Sequence, residues 1–173
     1  MNGLENFKDI TTFIFDVDGV LTDGTVLLME HGIQARQMHV KDGLALQMAV
    51  KTGYQVVIIS GSFSAPVKER LLYLGLQENY FSLENKLQFV QEYIEQRQIN
   101  WNEVLYMGDD LPDVALLQQV GLPCCPADAV HEVKKVCHYI SPVNGGFGCV
   151  RDVIEKVLKL NDHWYFDTGV TSK

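Results

Sequence analysis

Three short runs of this chain, Thr12–Phe15, Gln55–Ile59 and Val104–Met107, are nearly continuous in apolar, β-branched and aromatic side chains. A strand with one wet face alternates apolar and polar residues, whereas a strand without that alternation is covered on both faces. Such runs belong inside a parallel sheet flanked by helices, and the chain supplies the helices. Amphipathic patterns cover about 43–52, 65–74, 85–98, 111–120, 129–136 and 148–160, with weaker strands near 80–81, 122–124 and 138–140 between them. Ser64 fits an N-cap with Pro66 in the first turn, and Gly75 fits a helix stop. The order predicts an α/β, Rossmann-like three-layer fold with a mostly parallel central sheet. At 173 residues the chain suits a single domain, 1–173.

One stretch breaks the alternation. Residues 24–40, GTVLLMEHGIQARQMHV, carry β-formers on both sides of Glu30-His31-Gly32, which predicts a β-hairpin flap directly after the first strand. Residues 161–173 read as a C-terminal tail, loose over DTGVTSK. A formal charge of −8 argues against a broad nucleic-acid surface, although a few lysines and a metal ion reverse the potential inside one pocket. No run approaches the roughly 18 apolar residues of a membrane helix, and the N-terminus lacks the pattern of a signal peptide. The four cysteines, at 124, 125, 137 and 149, have no CxxC spacing and read as reduced thiols, and the five histidines form no zinc motif. The expectation is a cytoplasmic protein with neither nucleic acid nor membrane as a partner.

Ligands of open parallel sheets bind beyond the carboxyl ends of the strands, so the residues that follow each apolar run matter most. After the first come Asp16 and Asp18; after the second, Ser60 and Gly61; after the Val104 run, Gly108, Asp109, Asp110 and Asp113. Lys86 opens a helix just after the short third strand. Carboxylates gathered in one crevice repel one another, and a divalent cation relieves that repulsion; hard oxygen ligands favour magnesium, Mg2+. Ser60, the N–H groups of the turn at Gly61, and Lys86 suit phosphoryl oxygens. Two carboxylates in unlike surroundings supply a nucleophile and an acid/base: Asp16 to attack phosphorus, Asp18 to protonate the leaving alcohol and then activate water. Alone, an aspartate after a strand is most often a turn former, Ser60 a loop hydroxyl and Lys86 a solvated charge. Asp110 equally suits an N-cap for the helix near Leu111, and Asp42, beside Gly43, stands between helix capping and a substrate contact.

Taken together, DVDGVLTD at 16–23, the Ser-Gly after the second strand, the lysine that opens a helix and GDDLPD at 108–113 resemble, in order and spacing, the four motifs of the haloacid dehalogenase superfamily of phosphotransferases. The resemblance covers nearly the whole chain. It implies Asp16 as nucleophile and metal ligand, Asp18 as acid/base with its main-chain carbonyl on the metal, and Ser60 and Lys86 as the phosphate-binding pair. It also implies Asp109 as a metal ligand, with Asp113 a further metal residue or a support for Asp109 or Lys86. The chain has room for the hairpin and for no cap domain. This capless size, with HVKDG at 39–43, GDDLPD and GGFGCVRD at 145–152, is similar to the 3-deoxy-D-manno-octulosonate 8-phosphate phosphatases of lipopolysaccharide biosynthesis. That likeness implies a sugar acid phosphate as substrate and a homotetramer whose neighbouring subunits close the active site. Ser62 stands where those phosphatases carry an arginine, and relatives acting on a nine-carbon sugar acid 9-phosphate also differ there. Arg70, Lys41 or Arg151 are the candidates to supply a cation for the substrate carboxylate, Arg70 and Asp42 being the substrate contacts expected. A scaffold that kept the fold without turnover is the reading from another class. GGFGCVRD, on residues alone, reads as a glycine-rich lead into the last helix.

Overall fold

The computed structural model describes residues 5–165. Its strands are β1 (Thr12–Asp16), a hairpin pair β2 (Leu27–Leu28) and β3 (Gln34–Ala35), β4 (Gln55–Ile59), β5 (Asn79–Tyr80), β6 (Val104–Met107), β7 (Leu122–Cys125) and β8 (Tyr139–Ile140). The six strands outside the hairpin form one sheet in the order β5-β4-β1-β6-β7-β8, every neighbouring pair parallel. Chain order thus runs outward from β1 to one edge and then returns to build the other side. That reversal leaves a crevice at the carboxyl end of β1, where it lies between β4 and β6.

The absence of alternation in the three central runs is explained by burial on both faces. Phe13, Phe15, Val56, Ile58, Leu105 and Met107 face a layer made by α1 (Glu5–Lys8), α2 (Val40–Lys51), α3 (Ala65–Tyr73) and α7 (Cys149–Leu160). Ile14, Val57, Ile59, Val104 and Tyr106 face the opposite layer, α4 (Lys86–Arg97), α5 (Val114–Leu117) and α6 (His131–Val136). Each fully buried side chain of this size contributes about 1.5–3 kcal/mol relative to leaving it in water. The three-layer α/β arrangement expected from the sequence is therefore present. The edge strands β5 and β8 are two residues long, which leaves little backbone for unwanted pairing.

Helix ends follow their residues. Asn85 caps α4 by accepting the Gln88 N–H at 3.0 Å, so Lys86 occupies the first turn of the helix. Ser64 is the N-cap of α3 and Pro66 lies in its first turn. Residues 111–120, expected as one helix, instead form a 3₁₀ turn at Leu111–Asp113 followed by the short α5. The tightening has a cause: the Asp113 carboxylate turns back to accept the N–H groups of Asp109 and Asp110, while Asp110 accepts the N–H of Leu111. The hairpin pairs Leu27 with Ala35 and Leu28 with Gln34 around a turn at Glu30–Gly32. The single turn α1 was too short to register as a pattern, yet its Phe7 is fully buried with its ring edge-on to Tyr139.

The glycine-rich lead into α7 serves the first loop of the same chain. A β-carbon on Gly145 would lie 1.8 Å from the Gly19 carbonyl oxygen, a contact no side chain allows. The Gly146 N–H donates to the Val20 carbonyl at 2.9 Å and the Cys149 thiol to the same oxygen at 3.3 Å. The expected tail is ordered at its start: the Asn161 side-chain amide donates to the Lys8 carbonyl at 3.1 Å, His163 Nδ1 lies 2.9 Å from the Tyr54 hydroxyl, and Arg151 stacks on Trp164. The remainder, 166–173, including the DTGVTSK stretch, lies outside the described residues.

Asp42 is a helix cap, but for a different helix from its own. Its Oδ1 accepts the Arg151 N–H at 2.7 Å in the first turn of α7, tying α2 to α7. The side chain is buried, its Oδ2 has no hydrogen-bond partner, and burial pushes its pKa up to about 6 against the Arg151 N–H that favours the charged form. A carboxyl with a raised folded-state pKa favours the fold fully below the unfolded value near 3.8, and that contribution is lost as pH rises through about 6. Asp42→Asn keeps the accepting oxygen and removes the charge. Denaturation midpoints of the variant and the parent are expected to lie closest near pH 4, to separate between about pH 4 and 6 and to keep a constant gap above it, with the variant more stable by up to about 3 kcal/mol.

Candidate active site

The carboxyl ends of β1, β4 and β6 open into one cavity of about 310 Å³. Asp16, Asp18, Ser60, Gly61, Lys86, Asp109 and Asp113 all line it, joined by Gly24, Ser62, Asp110 and Pro112. The convergence follows from register: Asp16 lies opposite Ile59, which places Ser60 one residue beyond, and Phe15 lies opposite Met107, which places Asp109 just past the end of β6. Asp42 and Arg70 are not among the lining residues. Arg70 lies on α3 with its guanidinium 5.9 Å from the Tyr73 ring centroid and one Nη 3.5 Å from where a β-carbon on Gly43 would be.

Lys86 is the hub. Its buried Nζ lies 2.7 Å from Asp16 Oδ2 and 2.6 Å from Asp113 Oδ1. Burial alone would depress the lysine pKa, but Asp16 and then Asp113 outweigh it and hold the ammonium charged. Asp113 is fully occupied: Oδ1 also accepts the Tyr106 hydroxyl at 2.6 Å, and Oδ2 accepts the N–H groups of Asp109 at 2.9 Å and Asp110 at 3.3 Å. That geometry fits Asp113 as a support of Lys86 and of the Asp109 loop, and one of its oxygens also belongs to the cluster that could hold a metal. Tyr106 was missed, although a tyrosine inside a buried run has to find a partner for its hydroxyl.

One lysine does not neutralise three carboxylates. Asp16, Asp109 and Asp113 place ligand oxygens within 4.8 Å of one another. Burial lifts the Asp16 pKa to about 6 despite Lys86, and lifts that of Asp109 to about 7 with Asp16 and Asp113 adding to it. A cluster in which carboxyls are forced toward protonation fits a divalent cation. The chain also makes room for the Asp109 carboxylate: a β-carbon on Gly19, whose φ is +81°, would lie 2.0 Å from Asp109 Oδ2. Thr22 holds that turn, donating to the Val17 carbonyl at 3.3 Å and accepting the N–H groups of Gly19 and Gly24.

Asp18 stands apart from this cluster. Its carboxylate takes Arg36 Nε on Oδ1 at 2.6 Å, Arg36 Nη2 on Oδ2 at 3.4 Å, and the Ser62 hydroxyl on Oδ2 at 2.8 Å. Arg36 comes from the hairpin just beyond β3, and no motif in the sequence marked it. Ser60 Oγ accepts the Ser62 N–H at 3.1 Å, which fixes the loop after β4. Two carboxylates at one cavity wall thus have unlike surroundings, one buried on lysine and one partly exposed on a guanidinium, which is the arrangement acid/base and nucleophilic roles require.

A family model for haloacid dehalogenase-like hydrolases matches residues 82–154. The 3-deoxy-D-manno-octulosonate 8-phosphate phosphatase KdsC of Yersinia pestis is 30% identical over 168 residues, covering 97% of this chain and 90% of that protein. The protein of the same description from Escherichia coli K12 is 33% identical over 151 residues, 87% of this chain and 80% of its own. A crystal structure of the Moraxella catarrhalis 3-deoxy-D-manno-octulosonate 8-phosphate phosphatase, in complex with magnesium, phosphate and KDO, superposes with a TM-score of 0.89 at 31% identity, covering 93% of each chain. With relatives of this identity spanning nearly its whole length, and the carboxylates and lysine gathered at the ends of the central strands, the chain belongs to the haloacid dehalogenase-like hydrolases, as a phosphatase of phosphoric monoesters.

Proposed function

We propose that the substrate is a sugar acid phosphate, 3-deoxy-D-manno-octulosonate 8-phosphate, hydrolysed with magnesium through an aspartyl-phosphate intermediate. The observation that carries this reading is the carboxylate cluster around Lys86 with Asp18 beside it, in a chain whose relatives over most of their length bear that substrate in their names. Asp16, held through Oδ1 by the Val17 N–H at 2.7 Å and through Oδ2 by Lys86, attacks phosphorus. The ester P–O bond breaks as Asp18 gives its proton to the leaving sugar oxygen. Asp18, now ionised, takes a proton from water whose oxygen attacks the phosphorus; the bond to Asp16 breaks and inorganic phosphate leaves. Ser60 and the turn at Gly61 hold phosphoryl oxygens, Lys86 keeps Asp16 ionised, and Asp113 keeps Lys86 in place. Asp16 and Asp109, with the Asp18 carbonyl that the family resemblance implies, would hold magnesium, which when bound would neutralise charge at the phosphoryl oxygens.

A second substrate reading, a nine-carbon sugar acid 9-phosphate or another phosphorylated sugar acid, is motivated by one departure: Ser62, in place of the arginine of the octulosonate phosphatases, donates its hydroxyl to Asp18 and carries no charge. The catalytically silent scaffold has no observation in its favour. We further propose a homotetramer built on the hairpin, because Leu27, Leu28, Met29 and Ile33 expose 66, 74, 52 and 54% of their surface, an unusual cost for a free flap.

Asp16→Asn is expected to lower phosphate release about 1,000-fold or more while leaving the melting curve near that of the parent, and chelation with EDTA is expected to silence the parent reversibly. Turnover of the variant near the parental rate, or full activity in excess EDTA, would remove the nucleophile or the metal from the scheme. Comparing kcat/KM on the eight- and nine-carbon acids decides the substrate, the larger value being expected for the eight-carbon one. Light scattering is expected to give a tetramer for the parent and smaller species for Leu28→Asp; an unchanged mass for the variant would place the contacts elsewhere.

A further inference from the structure

Giving a proton to the leaving oxygen is a matter of distance from the phosphate, because that oxygen stays bonded to phosphorus until the ester breaks. An acid set only from the hairpin would be held without reference to the phosphate. Arg36, which takes the Asp18 carboxylate from the hairpin, is not among the residues lining the cavity. Ser62 is among them, two residues after Ser60 on the loop proposed to hold phosphoryl oxygens.

The contacts of Ser62 run both ways. Its hydroxyl donates to Asp18 Oδ2 at 2.8 Å, its Oγ lies 3.2 Å from Ser60 Oγ, and its N–H donates to Ser60 Oγ at 3.1 Å. The Asp18 carboxylate is thus joined to the hydroxyl of the phosphate loop through one intervening side chain. The loop itself is anchored from behind, the Leu83 N–H donating to the Ser60 carbonyl at 3.1 Å and the Ser82 N–H to the Ser62 carbonyl at 3.4 Å. The two oxygens of Asp18 are divided between partners: Arg36 Nε holds Oδ1 at 2.6 Å, whereas Oδ2 is 3.4 Å from Nη2 and closer to the Ser62 hydroxyl. A guanidinium only donates, but a hydroxyl donates or accepts, so Ser62 can stay on Oδ2 while the proton of Asp18 passes to the sugar oxygen.

Resting on the reading of Asp18 as the acid of this phosphatase, we propose that Ser62 is a positioning residue: it holds Asp18 Oδ2 in fixed relation to the phosphate bound at Ser60, so that the proton reaches the leaving oxygen. What this position contributes is placement of the acid, with no charge of its own. The benefit is confined to esters whose leaving oxygen needs a proton. A sugar alkoxide does; a nitrophenolate, stable as an anion, does not.

The test compares two esters. kcat/KM, which reports the steps up to departure of the leaving group, is measured for the parent, Ser62→Ala, Ser62→Thr and Asp18→Asn. The esters are para-nitrophenyl phosphate and whichever of the eight- and nine-carbon sugar acid phosphates the parent hydrolyses faster. Ser62→Ala is expected to lose roughly 10- to 100-fold on the sugar ester and to stay within about 3-fold of the parent on the aryl ester, with Ser62→Thr, which keeps the hydroxyl, near the parent on both. Equal losses on the two esters would make Ser62 a brace for the phosphate loop, and an unchanged value on the sugar ester would make it a bystander. Either result overturns the proposal while leaving Asp18 as the acid. An Asp18→Asn enzyme that loses the same factor on both esters would overturn the reading of Asp18 itself, and the role of Ser62 with it.

Discussion

Three carboxylates share one ammonium group at the ends of the central strands, and much of the molecule is arranged to make that crowding tolerable. Lys86 is buried between Asp16 and Asp113, and Asp113 is in turn saturated by Tyr106 and two main-chain N–H groups. Removing such groups from water is expensive, and the raised pKa values of Asp16 and Asp109 show that the lysine covers only part of the cost. The site is therefore assembled in a state of excess negative charge, the state that gives a divalent cation and then a phosphate a reason to bind.

The sheet makes this possible because its strands are rigid on both faces. With Phe13 and Phe15 packed into one layer and Ile14 into the other, β1 has no freedom to slide, and Asp16 is fixed at its end. The neighbouring strands bring Ser60 and Asp109 to the same level by parallel register alone. Asp18 is placed otherwise, by a turn held through Thr22 and by contacts from the hairpin. Asp16, Ser60 and Asp109 rest on the ends of strands, whereas Asp18 is set by loops.

That division explains what was legible in the sequence. Asp16, Asp18, Ser60, Lys86, Asp109 and Asp113 all follow strands or open a helix, so periodicity and strand ends were enough to bring them together. Arg36 escaped because it lies in a hairpin whose β-formers reveal the turn but not which face is inward. Arg70 and Asp42 were drawn toward the substrate by their charge and motif. Asp42 instead caps α7 from α2, a contact between distant helices that leaves no trace in local spacing, and Arg70 lies beside Tyr73 on α3. The helix expected at 111–120 begins instead as a 3₁₀ turn, where Asp113 reaches back to the N–H groups of Asp109 and Asp110 and Asp110 accepts that of Leu111, and its α-helical part ends at Leu117.

The contact between the glycine-rich loop and the first turn bears on how the protein comes into being. Val20 and Cys149, 129 residues apart, meet where Gly145 closes against Gly19. A chain emerging from the ribosome presents the aspartate turn first and its backing last, so the earliest motif to be synthesised is among the last to be held in place. Until the segment before α7 is available, the turn that carries Asp18 lacks its support. Any shortened product of the same message that ends before this loop would hold most of the motifs and lack the means to set them.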